Sequence, residues 1–230
     1  MTTTASAHSG NFWDFDFATP QPTQDTDLLR QLNFIPGLKE ILMLRQVHAL
    51  EHATVWVLSD RARTNSYTFR QEPLQSNYHS LNGVRYTTTT HQLDNDNLGG
   101  LSTDQGFYLY GQVKLPDLRR SVPIALQRLT RGEWDLAVHP RCGTNLSVGM
   151  LLTAGLVLGT HFLLPRGPIE QIIGLGLATA MATQITPDVG RLAQQYLTTA
   201  IPFNLAIEDI TATPDLWGRP AHFVRVRWQD

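Results

Sequence analysis

The stretch from Arg45 to Leu58, RQVHALEHATVWVL, carries three ionisable side chains, His48, Glu51 and His52, inside a run that is otherwise nearly all apolar. A buried charge or imidazole without a partner is costly, so the trio needs an explanation. On a helix turning about 100° per residue, His48 and His52 fall about 40° apart and Glu51 about 60° to the other side, so all three share one face. Ile41, Leu44 and Val55 extend that face above and below. Histidines at i and i+4 chelate one metal from a single turn, and a neighbouring carboxylate serves as a ligand or as a general base toward metal-bound water. His-x-x-Glu-His is also the spelling of the inverted zinc-peptidase motif. With only three positions specified, the same stretch is compatible with a satisfied core histidine and an ion pair of Glu51 with Arg45 or His48.

The second stretch is HPRCGTN, residues 139 to 145. His139 and Cys142 stand two residues apart across a proline-containing turn, the spacing at which zinc-knuckle ligands converge. A thiolate with imidazoles selects zinc over magnesium or calcium, and copper or iron(II) would also be served. Cys142 precedes an apolar helix, whose dipole favours the thiolate. Two arrangements follow. In the catalytic one, His48, His52 and Cys142 ligate zinc, water takes the open position, Glu51 is the general base, and His139 or Arg141 meets developing negative charge. In the structural one, His48, His52, His139 and Cys142 close a tetrahedron and Glu51 only orients a ligand.

The elements that must position these residues follow from the pattern. A short helix is predicted after Asp25 or Asp27, broken by IPG at 35 to 37, and then a long, largely buried helix from Leu38 to about Leu58. Residues 66 to 116 turn β-rich, with VRYTTTTHQL and GFYLYGQVKL as strands and DNDNLGGLSTDQG as turn residues between them. Ser121 is expected to cap a helix ending at Gly132, and WDLAV reads as a short strand. Near the C-terminus, DVGRLAQQYLTTAIP reads as a separate helix after Pro187, and FNLAIEDI and HFVRVRW as strands that could join the earlier β unit in one mixed sheet.

Between Arg141 and Arg166 there is no Asp, Glu, Lys or Arg, and the run is long enough for one membrane-spanning helix. Gln171 to Pro187 is a second uncharged stretch, shorter and less apolar. Gly155 and Gly159 in the first, and Gly174, Ala178 and Ala182 in the second, predict close helix packing. Two buried helices of a soluble core would look similar, since the mean hydropathy is −0.18 and His161 lies inside the first stretch. If the hairpin spans, Arg119, Arg120, Arg128, Arg131, Arg141 and Arg191 flank its open end against Arg166 in its turn, which places the soluble part in the cytoplasm.

The chain has 230 residues, 18 basic and 20 acidic, with a net charge of −2, so no field that recruits nucleic acid is present. A single cysteine excludes an internal disulfide framework. The first 26 residues, polar and without a basic or apolar leader, read as a disordered arm.

HALEH followed by HPRCGTN and then by apolar helices resembles a bacterial membrane-protein family of predicted metal-dependent enzymes carrying His-Gly-Ala-Glu-His-Lys and His-Pro-Arg-Cys-Gly-Thr-Ser stretches. The chain also resembles a related, mainly cyanobacterial domain of unknown function. The matching positions are His48, Glu51, His52, His139, Pro140, Arg141, Cys142, Gly143 and Thr144, while Ala53 stands where the first family has lysine. The resemblance implies a metal site at a membrane and supplies no substrate.

The expectation is therefore an α+β protein with a long buried motif helix, a small antiparallel β unit and a two-helix transmembrane hairpin. Its parts are an arm at 1–26, an α+β domain at 27–143, the hairpin at 144–187, and a C-terminal helix and strands at 188–230 packing on the α+β domain. The expected function is that of a zinc-dependent membrane hydrolase. The alternative is a non-enzymatic membrane protein with structural zinc and a partner-binding β unit. The lipid bilayer is the expected partner, and self-association is open.

Overall fold

A computed structural model describes residues 20–68, 97–165 and 167–229. Most of the predicted arm, the strand VRYTTTTHQL and Arg166 lie outside the described residues. Helix α1 (Gln24–Gln31) leads through Gly37, whose φ of 81° only glycine adopts without strain, into helix α2 (Leu38–Thr68). Helix α2 runs about three turns beyond the predicted end at Leu58. Its middle is sunk in the core, with Val47, Ala49, Leu50 and Ala53 fully buried.

Helix α3 (Leu115–Thr130) packs along α2. It starts well before Ser121 because Pro116 sits in the first turn, where a missing N–H costs nothing, and Asp117 suits the positive end of the dipole. Leu118, Val122, Ala125 and Leu129 form its buried stripe, and each leucine so buried contributes about 1.5–3 kcal/mol. WDLAV is not a strand: Trp134–Ala137 forms a 3₁₀ turn lying against α2.

Strands β1 (Gly99–Thr103), β2 (Gly106–Tyr110), β3 (Leu205–Pro214) and β4 (Pro220–Trp228) form one sheet in the order β1-β2-β4-β3. The terminal strands join the β unit, but among the described residues every pairing is antiparallel rather than mixed. Strand β1 occupies part of the stretch read as turn. Phe107, Leu109, Val224 and Val226 face the core, while Tyr108 and Phe223 pair on the opposite side at 4.6 Å. Gly106 permits this pairing, since a Cβ there would fall 1.9 Å from the carbonyl oxygen of Val224.

Helices α4 (Gly143–Leu163) and α5 (Pro168–Ala193) pack against each other as a hairpin outside this core. Helix α5 continues through Pro187 to a π-helical turn, Gln194–Thr198, instead of restarting after it. Gly174, Ala178 and Ala182 are buried at the α4–α5 contact, and the side chain of Leu164 fills the space beside Gly174. Gly155 and Gly159 lie off that contact, with nothing within 4 Å of a Cβ at either. Helix α4 buries none of its residues, and among the described residues it is the one helix long and apolar enough to cross a membrane. Helix α5 falls short of that measure because Glu170, Gln171, Gln184 and its threonines dilute the apolar run, so a second span does not follow from length and composition.

Candidate metal centre

Helix α2 presents His48, Glu51 and His52 toward a cavity of about 720 Å³, whose other walls come from β1, from residues 139 to 144 and from the π turn after α5. The 3₁₀ turn delivers HPRC to α2. Its Ala137 carbonyl accepts a hydrogen bond from His52 Nδ1 at 2.7 Å, and the Val138 carbonyl accepts from Trp56 Nε1 at 3.0 Å. On the other side, the Thr198 carbonyl accepts from His48 Nδ1 at 3.0 Å. A carbonyl cannot donate, so each imidazole holds a proton on Nδ1, and Nε2 is the nitrogen that each has left for a ligand.

Cys142 completes the group. It is the N-cap of α4, and its sulfur accepts the Thr144 N–H at 3.4 Å. His48 Nε2 stands 3.3 Å from the same sulfur, and the ligand atoms of His48, His52 and Cys142 all lie within 4.8 Å of one another. Burial alone raises the Cys142 thiol, but the hydrogen bond and charge of the His52 imidazole, followed by the Thr144 hydroxyl and N–H, outweigh it and leave the pKa below the ordinary thiol value. Two imidazole nitrogens and a thiolate are a donor set suited to zinc.

Glu51, 7% exposed, accepts a 2.5 Å hydrogen bond from the Ser102 hydroxyl on β1. Burial pushes its carboxyl above the usual range, against the opposing pull of Ser102 and of the charge on His48. The carboxylate fits because β1 has glycine at 100, where a Cβ would fall 2.1 Å from Glu51 Oε1.

His139 is brought close without joining the group. It is buried, its ring lies 4.8 Å from Trp56 and 5.6 Å from His52, and its Nδ1 accepts the Arg141 N–H at 3.3 Å. Arg141 lines the cavity at its exposed rim. Ser102, Gly100 and the carbonyls of Ala137 and Thr198 escaped the sequence reading. Backbone acceptors leave no signature in residue type, and Ser102 lay in a stretch that looked like a turn.

A family model described as "Domain of unknown function (DUF6391)" matches residues 43–210. The chain belongs to this family. The DUF6391 match takes in α2 from Met43, HPRC, the hairpin and the π turn, and so every residue of the cavity's polar floor. A protein of Picosynechococcus sp., described as uncharacterized, is 49% identical over 219 residues, which cover 95% of this chain and 96% of the relative. No solved structure matches the chain.

Proposed function

We propose that this DUF6391 protein is a membrane-bound, metal-dependent hydrolase with zinc at His48, His52 and Cys142. The observation that carries the reading is the His48–His52–Cys142 group itself: its ligand atoms lie within 4.8 Å of one another, while the Ala137 and Thr198 carbonyls engage Nδ1 of both rings and leave Nε2 for an ion. Tetrahedral zinc with ordinary bond lengths holds a nitrogen and a sulfur ligand about 3.5 Å apart, and His48 Nε2 to Cys142 Sγ is 3.3 Å. With His139 outside the group, three protein ligands leave a position open, as catalytic rather than structural sites do. The likeness of both motifs to predicted metal-dependent membrane enzymes points the same way.

A bound ion supplies Lewis acidity to water and to the substrate's oxygen. The remaining steps belong to side chains of this chain. Glu51 takes the proton of the attacking water and returns it to the leaving group, and its raised pKa suits that exchange. Ser102 fixes one carboxylate oxygen. Arg141, at the rim, counters negative charge that develops on the substrate.

The hairpin is the membrane anchor. Helix α4 buries nothing, and α5 exposes Ile169, Ile172, Ile173, Leu177 and Met181, an apolar surface too extended for water to solvate cheaply. The threonines that lower the hydropathy of α5 are satisfied within the helix, because Thr179, Thr183 and Thr186 donate to the carbonyls of Leu175, Ala180 and Ala182. Helix α5 therefore accompanies α4 through the bilayer. The arginines flanking the open end support a cytoplasmic position for the soluble unit, which is made of α1, α2, α3 and the four strands on either side of the hairpin.

Glu51→Gln tests the enzyme reading. Detergent-purified wild type is expected to hydrolyse at least one member of a panel of chromogenic esters, amides and phosphodiesters. The variant is expected to retain its metal and lose about 100-fold or more of that rate. Equal rates in the two proteins, or loss of the metal along with the carboxylate, would overturn it.

A further inference from the structure

We infer that the substrate of this site is an amphiphile of the bilayer, its polar group on the His48–His52–Cys142 floor and its hydrocarbon chain lying over Ile41, Leu44 and Leu197. The inference rests on the metal-centre reading and adds the class of molecule that the centre receives.

The site stands where the hairpin leaves the soluble unit. Cys142 is at once a member of the ligand group and the N-cap of α4, and Thr198, whose carbonyl holds His48, closes the π turn that follows α5. Both ends of the hairpin thus meet at the cavity. The 21 residues of α4 span about 31 Å, the thickness of a hydrocarbon core. With α4 in the bilayer, the cavity lies at headgroup level.

The cavity is polar at its floor, and beside Arg141 its mouth is edged by apolar side chains. Ile41, Leu44 and Leu197 line it, yet they remain 55%, 40% and 70% exposed. Three large aliphatic side chains around an entrance disfavour a freely soluble polar substrate and favour a chain of methylenes.

The lip also runs on into the hairpin surface. Ile185, Val189 and Leu192 are exposed along one line of α5, at spacings of four and three residues. An uninterrupted α-helix would carry Leu197 about a third of a turn off that line. The π turn Gln194–Thr198 winds more slowly and brings Leu197 back toward it. An apolar track therefore leads from the lipid-facing side of α5 to the mouth, with no polar side chain needed to admit the chain from the side.

The test uses full-length protein loaded with cobalt(II) in detergent, titrated with lauroyl hydroxamate and with acetohydroxamate while the cobalt visible bands report headgroup binding. Wild type is expected to bind the long-chain chelator at least about tenfold more tightly, from burial of only a few methylenes. Leu44→Asp combined with Leu197→Asp is expected to bring the two affinities within about threefold, and Leu197→Ser to fall between. Micelle partitioning is the same for all three proteins, and an unchanged cobalt spectrum before titration shows that each variant retains its site. Equal affinity for the two chelators in wild type, or a preference that survives in both variants, overturns the inference. Failure of wild type to take up cobalt overturns the metal-centre reading itself, at a stage before any chelator is added, so the two failures are distinct.

Discussion

Cys142 Sγ lies 3.3 Å from Nε2 of His48, although 94 residues separate them along the chain. Each residue also has a second attachment: the cysteine caps α4, and the histidine is tethered to the turn that follows α5. The His48–His52–Cys142 cluster is thereby built into the junction between the hairpin and the α+β core.

That dual role separates metal binding from folding. In Cys142→Ser the hydroxyl still accepts the Thr144 N–H and keeps the cap, so stability should change by less than about 1 kcal/mol. The thiolate is gone, and zinc affinity should fall by about 100-fold or more, from the loss of one of only three ligands. Competition with a fluorescent chelator, beside a thermal melt of metal-free protein, reads both quantities. Equal affinities would remove Cys142 from the site.

Gly100 and Glu51 occupy the same space in sequence-distant elements. A Cβ at position 100 would fall 2.1 Å from Glu51 Oε1, so Gly100→Ala should cost about 1–3 kcal/mol through displacement of the carboxylate. Adding Glu51→Ala frees that volume, and the double variant should be more stable than the sum of the single effects implies. Strict additivity in urea denaturation would mean that the two do not touch.

The tight turn between β3 and β4 predicts an acid transition. Burial by itself raises the Asp215 carboxyl, but the Arg219 N–H and guanidinium, the Tyr110 hydroxyl and the Trp217 N–H prevail and hold it at about 2. A carboxyl depressed on folding contributes stability that is fully present above its unfolded value of 3.8 and is lost as pH falls through about 2. Asp215→Asn should therefore be less stable than wild type at pH 7, with the difference shrinking below pH 4. A gap between urea midpoints that stays constant from pH 7 to pH 2.5 would contradict this.

Much of this architecture could be read from residue order, because it rests on periodicity. The apolar stripe around His48, Glu51 and His52, the alternation of Val224 and Val226 with Arg225 and Arg227, and the uncharged run after Cys142 each specify an element by side-chain pattern alone. Where the reading failed, tertiary context had overridden the local signal. Gly99 and Gly100 look like turn residues, yet they form a strand whose missing side chain makes room for Glu51. Gly155 and Gly159 have the spacing of a packing face, but α4 turns a different side to α5, meeting it with Gly149 against Thr186 and with Asn145 against Gly190. The acceptors that set the tautomers of His48 and His52 are backbone carbonyls, which any residue carries. His139 has a ligand's spacing from Cys142, and the 3₁₀ turn, in a segment whose pattern reads as a strand, sets its ring beside Trp56.

Metal content per chain is the most direct test of the site. Elemental analysis of detergent-purified wild type, beside His52→Ala and Cys142→Ser, should find close to one zinc per chain in wild type and little in either variant, while His139→Ala, outside the ligand group, should keep most of its metal. Equal and near-zero metal in all four proteins would contradict the centre itself, and loss from His139→Ala as complete as from Cys142→Ser would replace the open three-ligand site with a closed one.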